Sequence, residues 1–267
     1  MKTALALVAA VLALPLASGC VETETRSPEV ESRGYIYYLD GAGGGSALVN
    51  WGGGVREGLL AAGYPGQCDM FNWGTGLGAI ADQDAGVDYK RQKAAELAGL
   101  IQTHRKQNPD APIGLIGLSA GTALTVFTVE ALPEDCPVDT VVLLGATIGA
   151  DHDLTQALRH VRNKLYVFTS QRDVVIGLIV PFTGTADRKP GAAAAGVAGF
   201  FLPRDASDET RKLYAERLVT IPWTAEFERD GNYGRHLDNV NKDFIRNHVA
   251  PLMMGGTPPA ARAAAAP

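Results

Sequence analysis

Basic runs, cysteine and long apolar stretches are scarce in this chain, and each scarcity removes a class of function. Its 267 residues carry 24 Lys+Arg against 29 Asp+Glu, a net charge of -5. No Lys/Arg run forms the stripe that phosphate neutralisation requires, which argues against a nucleic-acid partner. Only three cysteines occur, Cys20, Cys68 and Cys136, and their spacing matches no metal site. With Cys20 set aside, Cys68 and Cys136 form one even pair. They are candidates for a disulfide in an oxidising compartment, or equally for two small buried hydrophobes. The apolar run Ala4 to Leu16 is too short to span a membrane as a mature helix. No internal repeat of fixed period appears.

The ends of the chain differ in composition from its middle. Met1-Lys2, the apolar run and Leu16-Ala17-Ser18-Gly19-Cys20 read as an export signal over 1–19. It resembles a bacterial lipoprotein signal, whose cysteine becomes the lipidated first residue of the mature protein. Ala17 departs from that pattern, which has Leu three residues before the cysteine. An ordinary secretory signal is the alternative, and either way export is expected. The resemblance implies lipidation at Cys20 and anchoring to a bacterial cell envelope. Residues 20–33 are polar and charged, as a tether would be. Residues 255–267 are rich in Gly, Pro and Ala and read as a disordered tail. One domain over 34–254 remains, and the 46% hydrophobic content of the chain is enough for one large core.

Within that domain, strand and helix patterns alternate. Strands are predicted at Tyr35–Leu39, Cys68–Trp73, Ile113–Ile116, Thr140–Leu144, Leu165–Thr169 and Leu218–Trp223. Helices are predicted at Val55–Ala62, Tyr89–Gln107, Thr122–Leu132, Leu154–His160 and Leu237–His248. Such alternation implies parallel pairing, hence an α/β fold with a mostly parallel sheet flanked by helices on both faces. The stretch Val174 to Asp208 is longer than an ordinary connection. It reads as a core helix between loops or as a substrate-facing lid.

The chemistry centres on Gly117-Leu118-Ser119-Ala120-Gly121, a G-x-S-x-G between a predicted strand and a predicted helix. That context suits a sharp turn exposing the Ser119 hydroxyl above the sheet edge. A nucleophilic serine needs a base, an acid orienting that base, and donors for the oxyanion. Asp173 lies four residues past the predicted end of the fifth strand and is the candidate acid, with Asp151 and Asp153 as fallbacks. Five histidines occur, and only His236 and His248 follow Asp173. His236 sits in a glycine-rich loop before the closing helix and is the candidate base. His248 falls in that helix's last turn, where meeting the helix dipole is role enough. His104 and His160 read as solvated helix residues, and His152 as a loop residue able to line a pocket. The glycine run Gly41 to Gly45 offers bare N–H groups after the first strand. It lacks the Lys-Ser/Thr ending of a phosphate loop, so nucleotide binding is not expected.

With Leu39-Asp40-Gly41-Ala42, the elbow, Asp173 and His236 in this order, the chain resembles the α/β-hydrolase superfamily over about Gly34 to His248. That resemblance implies a Ser119–His236–Asp173 triad. It implies oxyanion donors at Ala120 and Ala42, with Gly43 close behind. It also implies a carboxylic ester, amide or thioester as the bond cleaved and no metal or organic cofactor. The substrate would be a small-molecule or lipid-like acyl compound. Asp40 replaces the histidine of the family's usual His-Gly pattern. Phe182, Phe200, Phe201 and Trp223 are candidates for an apolar acyl site or for core. A non-catalytic envelope module using the same fold is the rival reading.

Overall fold

The computed structural model describes residues 27–44, 51–180, 184–187 and 192–256. Cys20, the signal, most of the tether and all but the first residues of the tail lie outside them, as does Phe182.

Six strands form one all-parallel sheet, β1 Tyr35–Leu39, β2 Gln67–Met70, β3 Ile113–Leu118, β4 Val138–Leu144, β5 Val161–Thr169 and β6 Leu218–Pro222. Their order across the sheet is β2-β1-β3-β4-β5-β6. Crossover connections are long enough for helices, which is why sequence-adjacent strands pair parallel rather than as hairpins. β3 lies inside the sheet, pairing Leu115 with Tyr37 on one side and with Val141 on the other. All six of its residues are buried, as the continuous apolar run of an interior parallel strand requires.

The long helices are α1 Gly52–Ala61, α2 Val87–Gln107, α3 Gly121–Glu130 and α4 Asp208–Arg217. They divide between the sheet faces. Tyr35, Tyr37 and Leu39 point to the face covered by α2, α3 and α4. Ile36 and Tyr38 point to the face covered by α1 and the closing helical run Lys242–Met253. α3 is buried on every side, sandwiched between sheet and α2, so its pattern is apolar all round rather than amphipathic. α4 starts at Ser207, whose side chain accepts the Thr210 N–H at 3.1 Å, an N-cap fixing the helix entry. The closing run contains a π-turn, Ile245–Val249, just ahead of Pro251. Proline has no N–H to give to the carbonyl four residues back, and a wider turn absorbs that missing bond.

Two expectations need correction. The segment after β5 is not a core helix between loops. Among its described residues it holds one π-turn, Val175–Ile179, and a four-residue helix, Ala195–Ala198, before α4. Several of its described residues lie along the loop after β4. The N–H groups of Ala186, Ala195 and Gly196 donate to the carbonyls of Thr147, Ile148 and Ala146. Gly196 permits the approach, since a Cβ there would lie 2.6 Å from the Ala146 nitrogen. His104 and His160 are also not solvated: both are buried. His104 packs edge-on against Tyr35, and burial pushes its pKa down.

Cys68 and Cys136 are both free thiols. Cys68 lies on β2 and Cys136 just before β4, three strand positions apart at roughly 4.8 Å each, beyond the reach of a disulfide. They also pack with opposite faces of the sheet. Denatured without reductant, both are expected to take up iodoacetamide. A protein that alkylates at these positions only after reduction would contradict this geometry.

Candidate active site

The elbow forms between β3 and α3, and its two glycines are there for space. A Cβ on Gly117 would lie 2.4 Å from Thr125 Oγ1. One on Gly121 would lie 2.3 Å from the Leu39 carbonyl oxygen and 2.5 Å from that of Asp40. The end of β1 therefore rests directly on the first turn of α3. Between the glycines, Ser119 has φ +51°, the one non-glycine residue with positive φ among those described. A left-handed serine costs energy that the surroundings must offset. Its N–H donates to Leu144 O at 3.0 Å, and its carbonyl accepts from Thr122 Oγ1 at 2.5 Å.

His236 opens a 3₁₀ turn, His236–Val240, rather than lying in a free loop. Its Nδ1 is 2.7 Å from Asp173 Oδ2. Asp173 is 2% exposed, and its other oxygen accepts the N–H groups of Val175 and Ile176 at 3.1 and 3.2 Å. Those N–H groups begin the π-turn, so a single carboxylate serves both as the cap of that turn and as the partner of the imidazole. The approach of His236 is fixed by side chains on either flank. Asn239 donates to the His236 carbonyl at 2.9 Å, and Ser170 donates to Gly234 O at 2.7 Å.

Ser119 and His236 each pack against the end of β4. Leu144, which holds the Ser119 N–H, is followed by Gly145 at φ +53°. A Cβ on Gly145 would stand 3.1 Å from both Cε1 and Nδ1 of His236. The imidazole thus lies on the bare backbone beside the elbow. On the other side of Ser119 lies Gly41, where a Cβ would be 3.1 Å from Ser119 Cβ and 3.7 Å from its Oγ. Ala42 follows directly in the chain. Among the described residues, the N–H groups of Ala42 and Ala120 make no hydrogen bond, but that of Gly43 donates to Asp82 Oδ2 at 2.9 Å. Gly43 is therefore corrected as an oxyanion donor, because its proton is already committed.

The remaining candidates fall elsewhere. Asp153 caps the turn at Thr155, accepting its N–H at 2.8 Å, and Asp151 is exposed. His248 is not in the last turn of the closing run. It sits in the π-turn, with Nε2 2.6 Å from Asp230 Oδ2. His152 lines an open cavity of about 620 Å³ with Arg91, Phe127, Glu130 and Asp187. That cavity lies at the far end of α3, about 14 Å along the helix from the elbow. Burial opposes the His152 charge, yet hydrogen bonds to Asp187 and Glu130 outweigh it and raise its pKa to about 9. Phe200 is core, Phe201 is 52% exposed, and Trp223 is half-buried under the Arg172 guanidinium.

Two buried carboxyls at the glycine loop escaped the sequence reading as working groups. Asp82 carries no sequence signal beyond its place in a polar stretch, whereas Asp40 stands where the resembled superfamily has histidine. Asp40 is 2% exposed and accepts from Tyr38 Oη and the Gly41 N–H, both at 2.8 Å. Burial pushes its carboxyl up to about 6, against the lowering effect of those hydrogen bonds.

The fold is of the α/β-hydrolase type, with the Ser119 turn after the third described strand, Asp173 after the fifth and His236 after the last. No protein-family model matches the chain, nor does any curated protein. Among solved structures it is similar to LpqC, a poly(3-hydroxybutyrate) depolymerase from Bordetella parapertussis. That match has 13% identity and a TM-score of 0.48, covering 85% of this chain and 80% of the other. A cutinase-like protein from Cryptococcus sp. matches at 14% identity and TM-score 0.45, covering 84% and 96%. A predicted CIB-like hydrolase from Thermoplasma acidophilum matches at 16% and 0.42, covering 84% and 87%. None of these likenesses bears on what this chain's own residues do.

The raised Asp40 pKa carries a signed consequence for stability. The group takes up its proton more readily in the folded than in the unfolded protein, whose value is about 3.9. Its contribution is therefore complete below about pH 4 and is lost as pH rises through about 6. The stability of wild type relative to Asp40→Asn is expected to fall by about 2–3 kcal/mol between pH 4 and pH 8. Urea unfolding at both pH values measures it, and a constant difference would contradict the assignment.

Proposed function

We propose that the protein is a serine hydrolase cleaving a carboxylic ester, or an amide or thioester, through an acyl-enzyme. The reading is carried by one arrangement. A left-handed serine bonds to Leu144, the imidazole of His236 packs on the neighbouring Gly145 backbone, and a buried carboxylate holds that ring's Nδ1 at 2.7 Å. In this mechanism Ser119 Oγ attacks the carbonyl carbon as His236 Nε2 takes its proton. The C–O π pair moves onto oxygen, and the N–H groups of Ala120 and Ala42 receive that charge. Collapse expels the leaving group, which takes the proton from His236. Water, deprotonated by His236, then releases the acyl group and restores Ser119. Asp173 orients the ring and stabilises its charged form without itself taking the proton.

A fluorophosphonate probe is expected to label wild type and not Ser119→Ala. An unlabelled wild type would favour a binding or scaffold module on the same fold. Gly145→Ala tests the base. Its Cβ would press on the ring, so kcat is expected to drop by about 100-fold with the fold retained by circular dichroism. Full activity in that variant would place the base elsewhere.

Anchoring through Cys20 belongs to the same proposal. In cells, an alkynyl fatty acid is expected to be incorporated by the wild-type chain and lost in Cys20→Ala; equal incorporation by both would reject lipidation at this residue.

A further inference from the structure

The loop after β1 spends its N–H groups selectively. Gly41 donates to Asp40 Oδ1 at 2.8 Å, Gly43 to Asp82 Oδ2 at 2.9 Å, and Gly44 to Gly41 O at 3.0 Å. Of these four successive groups, that of Ala42 alone makes no hydrogen bond among the described residues. Ala42 is thus bracketed by two carboxyls, one inside the loop and one outside it.

The outer carboxyl is a built contact. Asp82 is 3% exposed, and each of its oxygens serves a different segment. Oδ2 holds Gly43, while Oδ1 accepts Thr75 N–H at 2.6 Å and Thr75 Oγ1–H at 2.7 Å. Gly43 is pressed onto the same stretch of chain, since a Cβ there would lie 2.6 Å from Ala79 Cβ. Trp73, just ahead of this stretch, donates its indole N–H to Asp40 O at 2.8 Å. Three donors therefore converge on one carboxylate, which has acceptors on both edges and no donor of its own. An amide fits only half of this arrangement, because its NH₂ would face an N–H.

We propose that Asp82 is a positioning residue for the oxyanion hole: by holding the Gly43 N–H it leaves the Ala42 N–H as the loop's donor, aimed at Ser119. The assignment rests on the serine-hydrolase reading above. Its physical basis is preorganisation, because a donor stabilises developing charge fully only if it is already in place. Releasing Gly43 frees a second N–H and lets the glycine loop turn, which moves the Ala42 proton off its target.

The test uses the full chain with p-nitrophenyl acetate as substrate and phenylboronic acid, which forms a tetrahedral adduct on serine, as inhibitor. In Asp82→Asn, kcat is expected to fall by about 100-fold with KM within about twofold. The boronate inhibition constant should rise in parallel, with the number of fluorophosphonate-titratable serines unchanged. Thr75→Val is the control. It loosens the other edge of Asp82 but keeps the Gly43 contact, so kcat should stay within about threefold. Within the hydrolase reading, two results would overturn the assignment: kcat retained in folded Asp82→Asn, or equal losses in both variants that follow melting temperature. Wild type without Ser119-dependent labelling would take down the hydrolase reading and this assignment together. Normal labelling with unchanged kcat in Asp82→Asn takes down this assignment alone.

Discussion

The left-handed backbone of Ser119 is the constraint around which the rest is arranged. An L-residue holds that conformation only when the chain on both sides is fixed, and here three elements fix it. The end of β4 takes the serine N–H, Thr122 takes its carbonyl, and the end of β1 sits within contact of Gly121. Each contact also brings a piece of chemistry with it. β1 delivers the glycine loop, β4 delivers the bare backbone against which His236 rests, and α3 begins with the Ala120 N–H. Strain at one residue and convergence of the site are thus the same fact seen locally and globally.

Negative charge is handled in a consistent way around this centre. Asp173 divides its two oxygens between an imidazole and a helical turn, and Asp82 divides its oxygens between two segments. In both cases a buried carboxylate is satisfied by several donors, which offsets the cost of removing it from water. Asp40 is also held by several donors, yet burial outweighs them and raises its pKa to about 6. His152, whose pKa hydrogen bonds to two carboxylates raise to about 9, sits between Glu130 and Asp187 at the other end of α3. There it ties the segment after β5 to the sheet's flank.

What the sequence disclosed and what it concealed divide along physical lines. The four interior strands were legible because interior parallel strands are plain apolar runs, the edge strands β2 and β6 only through their place in the alternation. The elbow was legible because its glycines have no substitute. The placing of Asp173 and His236 one Nδ1–Oδ2 contact apart follows from loops at adjacent strand ends, which the alternation of elements foretells. The run 174–208 stayed open between a core helix and a lid because its length favours neither, and what its described residues do, bond to a loop distant in sequence, has no local signature. His104 and His160 were misread because charged neighbours on a helix do not say which side faces the core. Asp82 gave no sign at all, since a carboxylate chosen to hold a backbone N–H looks like any other.

The parallel pairing of the sheet bears on how such a chain acquires activity. β3 carries the elbow, yet its neighbour β1 lies far upstream and is joined to it only through the long crossover containing α1, β2 and α2. Contacts so remote in sequence close late, after the entropy of the intervening chain has been given up. The serine can adopt its strained backbone only once β1, β3 and β4 are all docked. On the proposed reading, a chain in which these strands are not all docked would be compact but chemically silent, and turnover would report the docking of β1, β3 and β4 rather than collapse.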